Sequence, residues 1–115
     1  MNDDHQLKKG SMKTLILAVL SDGPRHGYAI AREIERRSAD ALKMGEGALY
    51  PALRTLEGEG LLTGSWEIQP SGPARKIYVL TDEGHKQLAK NRRTWQSFTD
   101  AVNSVIGGEP HAQPA

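Results

Sequence analysis

The sequence predicts an α+β fold that is mainly α, with three helices, a two-stranded hairpin and one long final helix. Apolar residues recur at helical spacing in the first half of the chain and again near its C-terminus. Between these stretches, after Gly60, the apolar period changes to the alternation of a strand. With 115 residues, the chain is long enough for one small domain with a modest core.

Glycine, proline and polar runs suggest how the chain is divided. We expect a flexible lead-in over residues 1–9, a folded domain over residues 10–80, a final helix over residues 81–107 and a disordered tail over residues 108–115. Ser11 is a plausible N-cap for the first helix. That helix should end at Asp22-Gly23-Pro24.

The stretch over residues 44–62 organises the predicted domain. Leu49, Leu53 and Leu56 follow the i, i+4, i+7 pattern of one buried helix face. Since proline is tolerated near the first turn, the helix should begin near residue 47 or 48. Such a helix offers a compact polar ridge that fits the DNA major groove, and the alternative is an ordinary amphipathic helix with a solvated face. The ridge consists of Gly47, Tyr50, Pro51 and Arg54.

A second helix is predicted just before this one, over residues 27–38. Its outer side carries Glu33 and Arg37, an i, i+4 pair that stabilises a helix by a few tenths of a kcal/mol. Residues 40–43 connect the two helices. Two short helices joined by a brief turn, the second with a polar ridge, form a helix-turn-helix.

The hairpin is predicted from two alternating runs around a turn-rich loop at residues 69–74. Leu62, Trp66 and Ile68 mark one face of the first run, and we expect Trp66 to lie in the core. In the second run, Ile77 and Val79 share one face and Lys76 and Tyr78 the other.

Three helices followed by this hairpin make a winged helix-turn-helix. The wing carries Arg75 and Lys76 at its base, where they are placed for phosphates or for the minor groove. The alternative is a plain structural hairpin with solvated cations.

The last helix should begin at Thr81, whose side chain can cap it, and end at Gly107-Gly108. Its apolar residues follow a coiled-coil seam of barely two and a half heptads, which is too short to stand alone. The seam therefore needs a partner, either the first helix of the same chain or the same surfaces of a second chain. Its members are Leu88, Trp95, Phe98, Val102 and Val105.

Composition excludes several classes of function. The net charge of +1 means that any DNA-binding surface must arise from segregated charges. The chain has no cysteine, its four histidines show no ligand spacing, and no catalytic motif is present, so we predict no enzyme, no metal and no cofactor. The apolar run 15–20 is too short to cross a membrane and residues 1–9 do not resemble a signal peptide, so we expect a cytoplasmic protein.

Three runs of sequence carry a family resemblance: LKKGSMKTLILAVLSDGPRHGYAIAREIE, GEGALYPALRTLEGEGLL and KIYVLTDEGHKQL. With these, the chain resembles the PadR family of bacterial winged-helix transcription regulators, in its shorter branch with a single C-terminal helix. The resemblance implies a homodimeric, ligand-responsive regulator of transcription, usually a repressor. Such a dimer is expected to bind an inverted-repeat operator in double-stranded DNA. The resemblance also implies that the helix over residues 48–57 enters the major groove.

Candidate DNA contacts follow from the ridge, the wing and the resemblance. Tyr50 could instead pack its ring on the wing, and Arg54 either contacts guanine or phosphate or is a solvated cation. Tyr28 is interpreted mainly as a packing residue whose hydroxyl can reach phosphate, and His26 as a cap or a local hydrogen-bonding group. The candidates are Lys43, Gly47, Tyr50, Pro51, Arg54, Arg75, Lys76 and Tyr28.

Glu46 departs from the resemblance, because many members have Ser or Thr near this position, where it can contact phosphate. An acid here suits the helix dipole but repels phosphate. Glu46 therefore either caps the helix or reads a cytosine amino group, and we favour capping.

The resemblance further implies a dimer in which the final helix packs against the first and last helices of the partner chain. A small hydrophobic or aromatic effector could stack on Trp95 and Phe98, although a plain dimer-core tryptophan is the favoured interpretation. A competing hypothesis is a protein-interaction adaptor, supported by Glu46 and the near-zero charge. The candidate interface comprises Leu15, Val19, Leu88, Trp95, Phe98, Val102 and Val105.

Overall fold

The computed structural model describes residues 2–107, with side chains from residue 11 onward. The predicted tail over residues 108–115 and Met1 lie outside the described residues. The predicted fold class is confirmed, with four helices and a small antiparallel sheet. The elements are α1 (Asn2–Leu20), β1 (Arg25–His26), α2 (Gly27–Arg37), α3 (Glu46–Gly58), β2 (Leu62–Glu67), β3 (Arg75–Leu80) and α4 (Asp82–Ile106).

One hydrophobic core joins α1, α2, α3, the sheet and the start of α4. The leucine face of α3 is central to it, since Leu49, Leu53 and Leu56 are at most 1% exposed. Full burial of one such side chain contributes about 1.5–3 kcal/mol, so this face fixes which side of α3 points outward. The fully buried large side chains are Ile16, Leu17, Leu20, Ile30, Leu49, Leu53, Leu56, Leu62 and Leu88.

Helix α1 begins earlier than the sequence predicts. Because the helix extends back to Asn2, Ser11 lies inside it, and the prediction that Ser11 is the N-cap is wrong. The preceding residues are polar without an apolar stripe, which gives no periodic signal, yet Gln, Leu and Lys propagate helices well. The predicted flexibility of residues 1–9 stays a prediction.

The sheet has three strands in the order β1-β3-β2, all antiparallel. The hairpin β2–β3 is confirmed, with Leu62 opposite Leu80 and Glu67 opposite Arg75. Strand β1 was not predicted, because a two-residue strand is too short to show alternation. It pairs Arg25 with Tyr78 and thereby ties the start of α2 to the wing.

The buried face of β3 carries Tyr78 and Leu80, which are 5% and 7% exposed, whereas Val79 faces solvent. The expectation that Trp66 lies in the core is wrong, since it is 67% exposed. Alternation places Trp66 on the same face of β2 as the buried Leu62, but at the loop end of the strand this face borders an open cleft instead of a helix.

Helix α4 begins and ends as predicted. The Thr81 hydroxyl accepts a hydrogen bond from the Gly84 amide at 2.9 Å and donates one to the Gly60 carbonyl at 2.7 Å. At the other end, Gly107 adopts φ of 81°, a left-handed conformation that suits glycine.

Helix α4 divides into a packed first half and an exposed second half. Leu88 is 2% exposed, and one turn later the Asn91 amide donates a hydrogen bond to the Thr14 hydroxyl of α1 at 3.0 Å. Leu88 and Val19 were predicted at a dimer interface, but both belong to the core of this chain, so this part of the prediction is wrong. No helix within residues 2–107 is long and apolar enough to cross a membrane.

Candidate DNA-binding surface

Helix α3 presents the predicted ridge to solvent. Gly47, Pro51 and Arg54 are exposed on the face opposite the three buried leucines. Because α3 begins at Glu46, Pro51 lies in its second turn and provides no amide hydrogen to the Gly47 carbonyl. A ridge with a glycine and a proline has little side-chain bulk, so another molecule can approach the helix backbone closely.

The N-cap of α3 is Gly45, in an extended conformation with no side-chain cap. The interpretation of Glu46 as the cap is therefore wrong. Glu46 occupies the first helical position, where it is exposed and its charge suits the positive end of the helix dipole.

Tyr50 is held by contact with the start of α2. A Cβ atom at Gly27 would lie 2.9 Å from Tyr50 Cε1 and 3.4 Å from Leu53 Cδ1, so only glycine permits this approach. The ring is half-buried, while its outer edge borders an open cleft. The HGY and LYP segments of the sequence thus contact one another in the fold.

An open cleft of about 590 Å³ lies between α2, α3 and the wing. It brings together five of the eight predicted DNA contacts, whereas Lys43, Gly47 and Pro51 do not line it. Trp66 also lines this cleft and is not among the predicted contacts, although its position in a hairpin whose second strand carries two cations was a signal for it. The five predicted residues in the lining are Tyr28, Tyr50, Arg54, Arg75 and Lys76.

Positive charge on this surface is left uncompensated where it faces outward. Among the side chains described over residues 11–107, Lys43, Arg54 and Arg75 have no acidic ion-pair partner, and all three are exposed. By contrast, two acids at the end of α3 have cationic partners. Glu57 Oε1 lies 3.1 Å from Lys76 Nζ, and Glu59 Oε2 lies 3.7 Å from Lys13 Nζ. Arg54 and Arg75 therefore place two cations, unpaired among the described side chains, at the cleft, although the net charge of the chain is only +1.

His26 and Tyr28 flank the cleft in different ways. His26 provides no side-chain cap to α2, and its Nε2 lies 3.0 Å from Glu67 Oε1 of β2, a local bond between the start of α2 and the wing. Tyr28 is 57% exposed, so its interpretation as mainly a packing residue is wrong. The Arg32 guanidinium lies 5.8 Å from the centre of its ring.

Tyr78 forms the buried floor of the cleft. Burial raises the pKa of its hydroxyl above the ordinary value, partly opposed by the positive charge of Lys76. Tyr78 is therefore neutral at physiological pH and acts as an apolar support under the cationic side chains.

The exposed half of α4 is a second candidate surface, apart from the cleft. Trp95 and Phe98 are 57% and 54% exposed, and their ring centres lie 6.0 Å apart. Val102 is half-buried, Val105 is exposed, and Leu15 packs against the core of the chain. Ile106, also exposed, extends the apolar strip and was not predicted.

The chain is similar to known proteins of one family. The family model described as the transcriptional regulator PadR-like family matches residues 16–90. Transcriptional regulator Rv3488 of Mycobacterium tuberculosis is 28% identical over 106 residues, which cover 92% of each chain.

Solved structures show the same likeness. A PadR family regulator from Eggerthella lenta superposes with a TM-score of 0.78 at 30% identity, over 91% of this chain and 89% of that one. The Bacillus subtilis PadR structure in complex with operator DNA has a TM-score of 0.64 at 30% identity, over 70% of this chain and 45% of that one. The same Bacillus protein is named a negative transcriptional regulator.

Proposed function

Because the chain belongs to the PadR-like family of transcriptional regulators, we propose that it binds operator DNA through the ridge of α3 and the neighbouring cleft. The observation that carries this proposal is the uncompensated charge of Arg54 and Arg75 at one cleft beside an exposed, low-bulk helix face. The relative from Bacillus subtilis supports it, since its structure contains operator DNA.

In this proposal α3 enters the major groove and the wing lies along the backbone. Gly47 and Pro51 allow close approach, while Arg54 reads guanine or contacts phosphate. Arg75 and Lys43 contact phosphate from either side of α3, and the Tyr28 and Tyr50 hydroxyls provide neutral hydrogen bonds. Lys76, predicted as a further contact, is already paired with Glu57.

We further propose that the protein is a homodimeric repressor. The apolar strip of α4, which this chain leaves exposed, supports self-association, because an isolated chain rarely exposes clustered large aromatic side chains without a partner. A two-fold dimer presents two copies of α3 and therefore matches an inverted repeat with half-sites about 34–36 Å apart. Repression is supported by the Bacillus subtilis relative, which is named a negative regulator.

An effector site at Trp95 and Phe98 is the remaining part of the proposal. The two rings are close together and are exposed in the single chain, which suits stacking of a small aromatic compound at the proposed dimer interface. A compound that binds one separation of the two α3 helices better than another shifts the dimer away from the operator spacing. Titration with 8-anilinonaphthalene sulfonate should give a fluorescence rise that Trp95→Ala removes and Trp66→Phe retains. An equal rise in all three proteins contradicts this site.

Sequencing of genomic DNA fragments retained by the purified protein tests the DNA-binding proposal. We expect one inverted-repeat sequence to be enriched, and the enrichment to be lost with Arg54→Ala and Arg75→Ala. Arg93→Ala is the matched control, since Arg93 is an exposed arginine on the side of α4 opposite the apolar strip and does not line the cleft. Retention of no preferred sequence by the wild-type protein contradicts the proposal and favours an adaptor that binds another protein.

A further inference from the structure

We propose that Lys76 does not contact DNA but positions the wing relative to α3, through an ion pair with Glu57 that crosses Gly64. We call Glu57, Gly64 and Lys76 the wing latch. The proposal rests on the proposed DNA-binding function for its consequence, whereas the latch itself is a property of the free protein.

The ion pair joins two elements that must keep a fixed geometry. Lys76 lies on β3, and its Nζ is 3.1 Å from Glu57 Oε1 in the last turn of α3. Both side chains are largely shielded, with 27% and 28% exposure. Over residues 11–107, no other ion pair connects α3 with the wing strands.

Gly64 provides the space that the latch needs. It lies on β2 opposite Tyr78, and a Cβ atom there would be 2.5 Å from Lys76 Cε and 3.1 Å from Glu57 Oε2. Any side chain at residue 64 therefore displaces Lys76 from its path to α3. The lysine passes over a gap in the sheet face that only glycine leaves open.

Aromatic rings fix the direction of the lysine along this path. Its Nζ lies 5.4 Å from the centre of the Tyr78 ring and 5.8 Å from that of Trp66. These distances are in the range of cation–π attraction, which favours the charged ammonium near the rings. One carboxylate and two aromatic faces thus satisfy Lys76 without an external anion.

The neighbouring residue Arg75 differs from Lys76 in its exposure and in its ion pairing. It is exposed, and it has no acidic ion-pair partner among the side chains of residues 11–107. Two adjacent cations of the wing therefore have different roles, in which Arg75 faces the phosphate backbone and Lys76 holds the wing at the distance from α3 that suits the DNA.

The salt dependence of DNA affinity separates the two roles. Arg75→Met should weaken binding and reduce the slope of log Kd against log salt by about 0.9 for each phosphate that the arginine neutralises. Lys76→Met and Glu57→Gln should each weaken binding by about two- to fivefold, the range typical of partly exposed ion pairs, with an unchanged slope. The double variant should be no weaker than either single variant, because both remove the same pair.

A DNA-free measurement tests the latch itself. The indole N–H resonance of Trp66, assigned by its loss in Trp66→Phe, should shift in both Lys76→Met and Glu57→Gln and stay unchanged in Arg75→Met. This result keeps the latch separate from the proposed function, since it holds whether or not the protein binds DNA. The latch is overturned if Glu57→Gln leaves both this resonance and the DNA affinity unchanged, or if Lys76→Met lowers the salt slope as Arg75→Met does.

Discussion

At the scale of single residues, the site depends on close approaches that the sequence marks only as glycines. Gly27 of the HGY segment makes room for Tyr50 of the LYP segment, so the two segments meet in the fold. From the sequence, the tyrosine and the exposed ridge of α3 could be predicted from helical spacing. The contact between them could not, since it joins residues of two helices whose crossing depends on the whole core.

Gly27→Ala should destabilise the protein by about 1–3 kcal/mol, because its methyl group overlaps Tyr50 and Leu53. Urea denaturation measures the difference. Gly47→Ala is the matched control, since Gly47 is also helical but has open space around it, and alanine there should be neutral or stabilising. Equal stability changes in the two variants contradict the proposed contact.

The misplacement of Trp66 has a different cause. Alternation correctly places Trp66 on the face of Leu62, but it does not reveal where along the strand the covering helices end. The charged residues of the wing show the same limit of prediction from sequence. The sequence identifies Lys76 and Arg75 as wing cations, yet only the fold shows that Lys76 is paired with Glu57 of α3.

At the scale of elements, local chemistry predicts helix ends well where a cap or a left-handed glycine fixes them. Thr81 and Gly107 limit α4, and the end of α1 is also as expected. The start of α1, the glycine N-cap of α3 and the short strand β1 were missed because each lacks a periodic or capping signal.

Thr81→Ala should lower stability by about 0.5–2 kcal/mol, because the Gly84 amide at the start of α4 loses its acceptor and the Gly60 carbonyl loses its donor. Thermal unfolding followed by circular dichroism measures the loss. Thr81→Ser keeps the hydroxyl and should retain most of the stability. If serine is as destabilising as alanine, the cap is not the source of the effect.

Helix α2 gives a prediction about pH. Hydrogen bonds from Arg36 and Arg37 lower the pKa of Glu33 to about 2 from its ordinary value of 4.5. The folded state thus favours ionised Glu33, so its contribution is present above pH 4.5 and is lost as the pH falls toward 2.

Glu33→Gln should therefore be less stable than wild type at pH 7, with a difference that shrinks between pH 4.5 and pH 2. Urea denaturation across this range is the measurement. Glu83→Gln, which breaks an exposed pair on α4, should change little at any pH. A constant difference between Glu33→Gln and wild type over the whole range contradicts the assignment.

At the scale of the whole molecule, the second half of α4 carries an apolar strip that the rest of the single chain does not cover. Phe98→Asp should shift the protein from dimer to a monomer of 12.6 kDa, because a buried unpaired charge at an apolar interface is strongly unfavourable. Sedimentation velocity gives the masses. Ile68→Asp is the control, since Ile68 is 89% exposed but lies in the wing loop. A monomeric wild-type protein contradicts the proposed dimer.

The proposed function requires that a nearly neutral chain binds DNA by segregating its charges on α3 and the wing. Fluorescence anisotropy with the enriched operator and a shuffled duplex, from about 50 to 300 mM salt, is the decisive measurement. Two phosphate contacts per protomer, from Lys43 and Arg75, predict a slope of log affinity against log salt of about −3.6 for a dimer, with clear preference for the operator. A third contact per protomer, from Arg54, makes this slope about −5.4. Equal binding of both duplexes with a slope near zero contradicts charge segregation as the basis of binding.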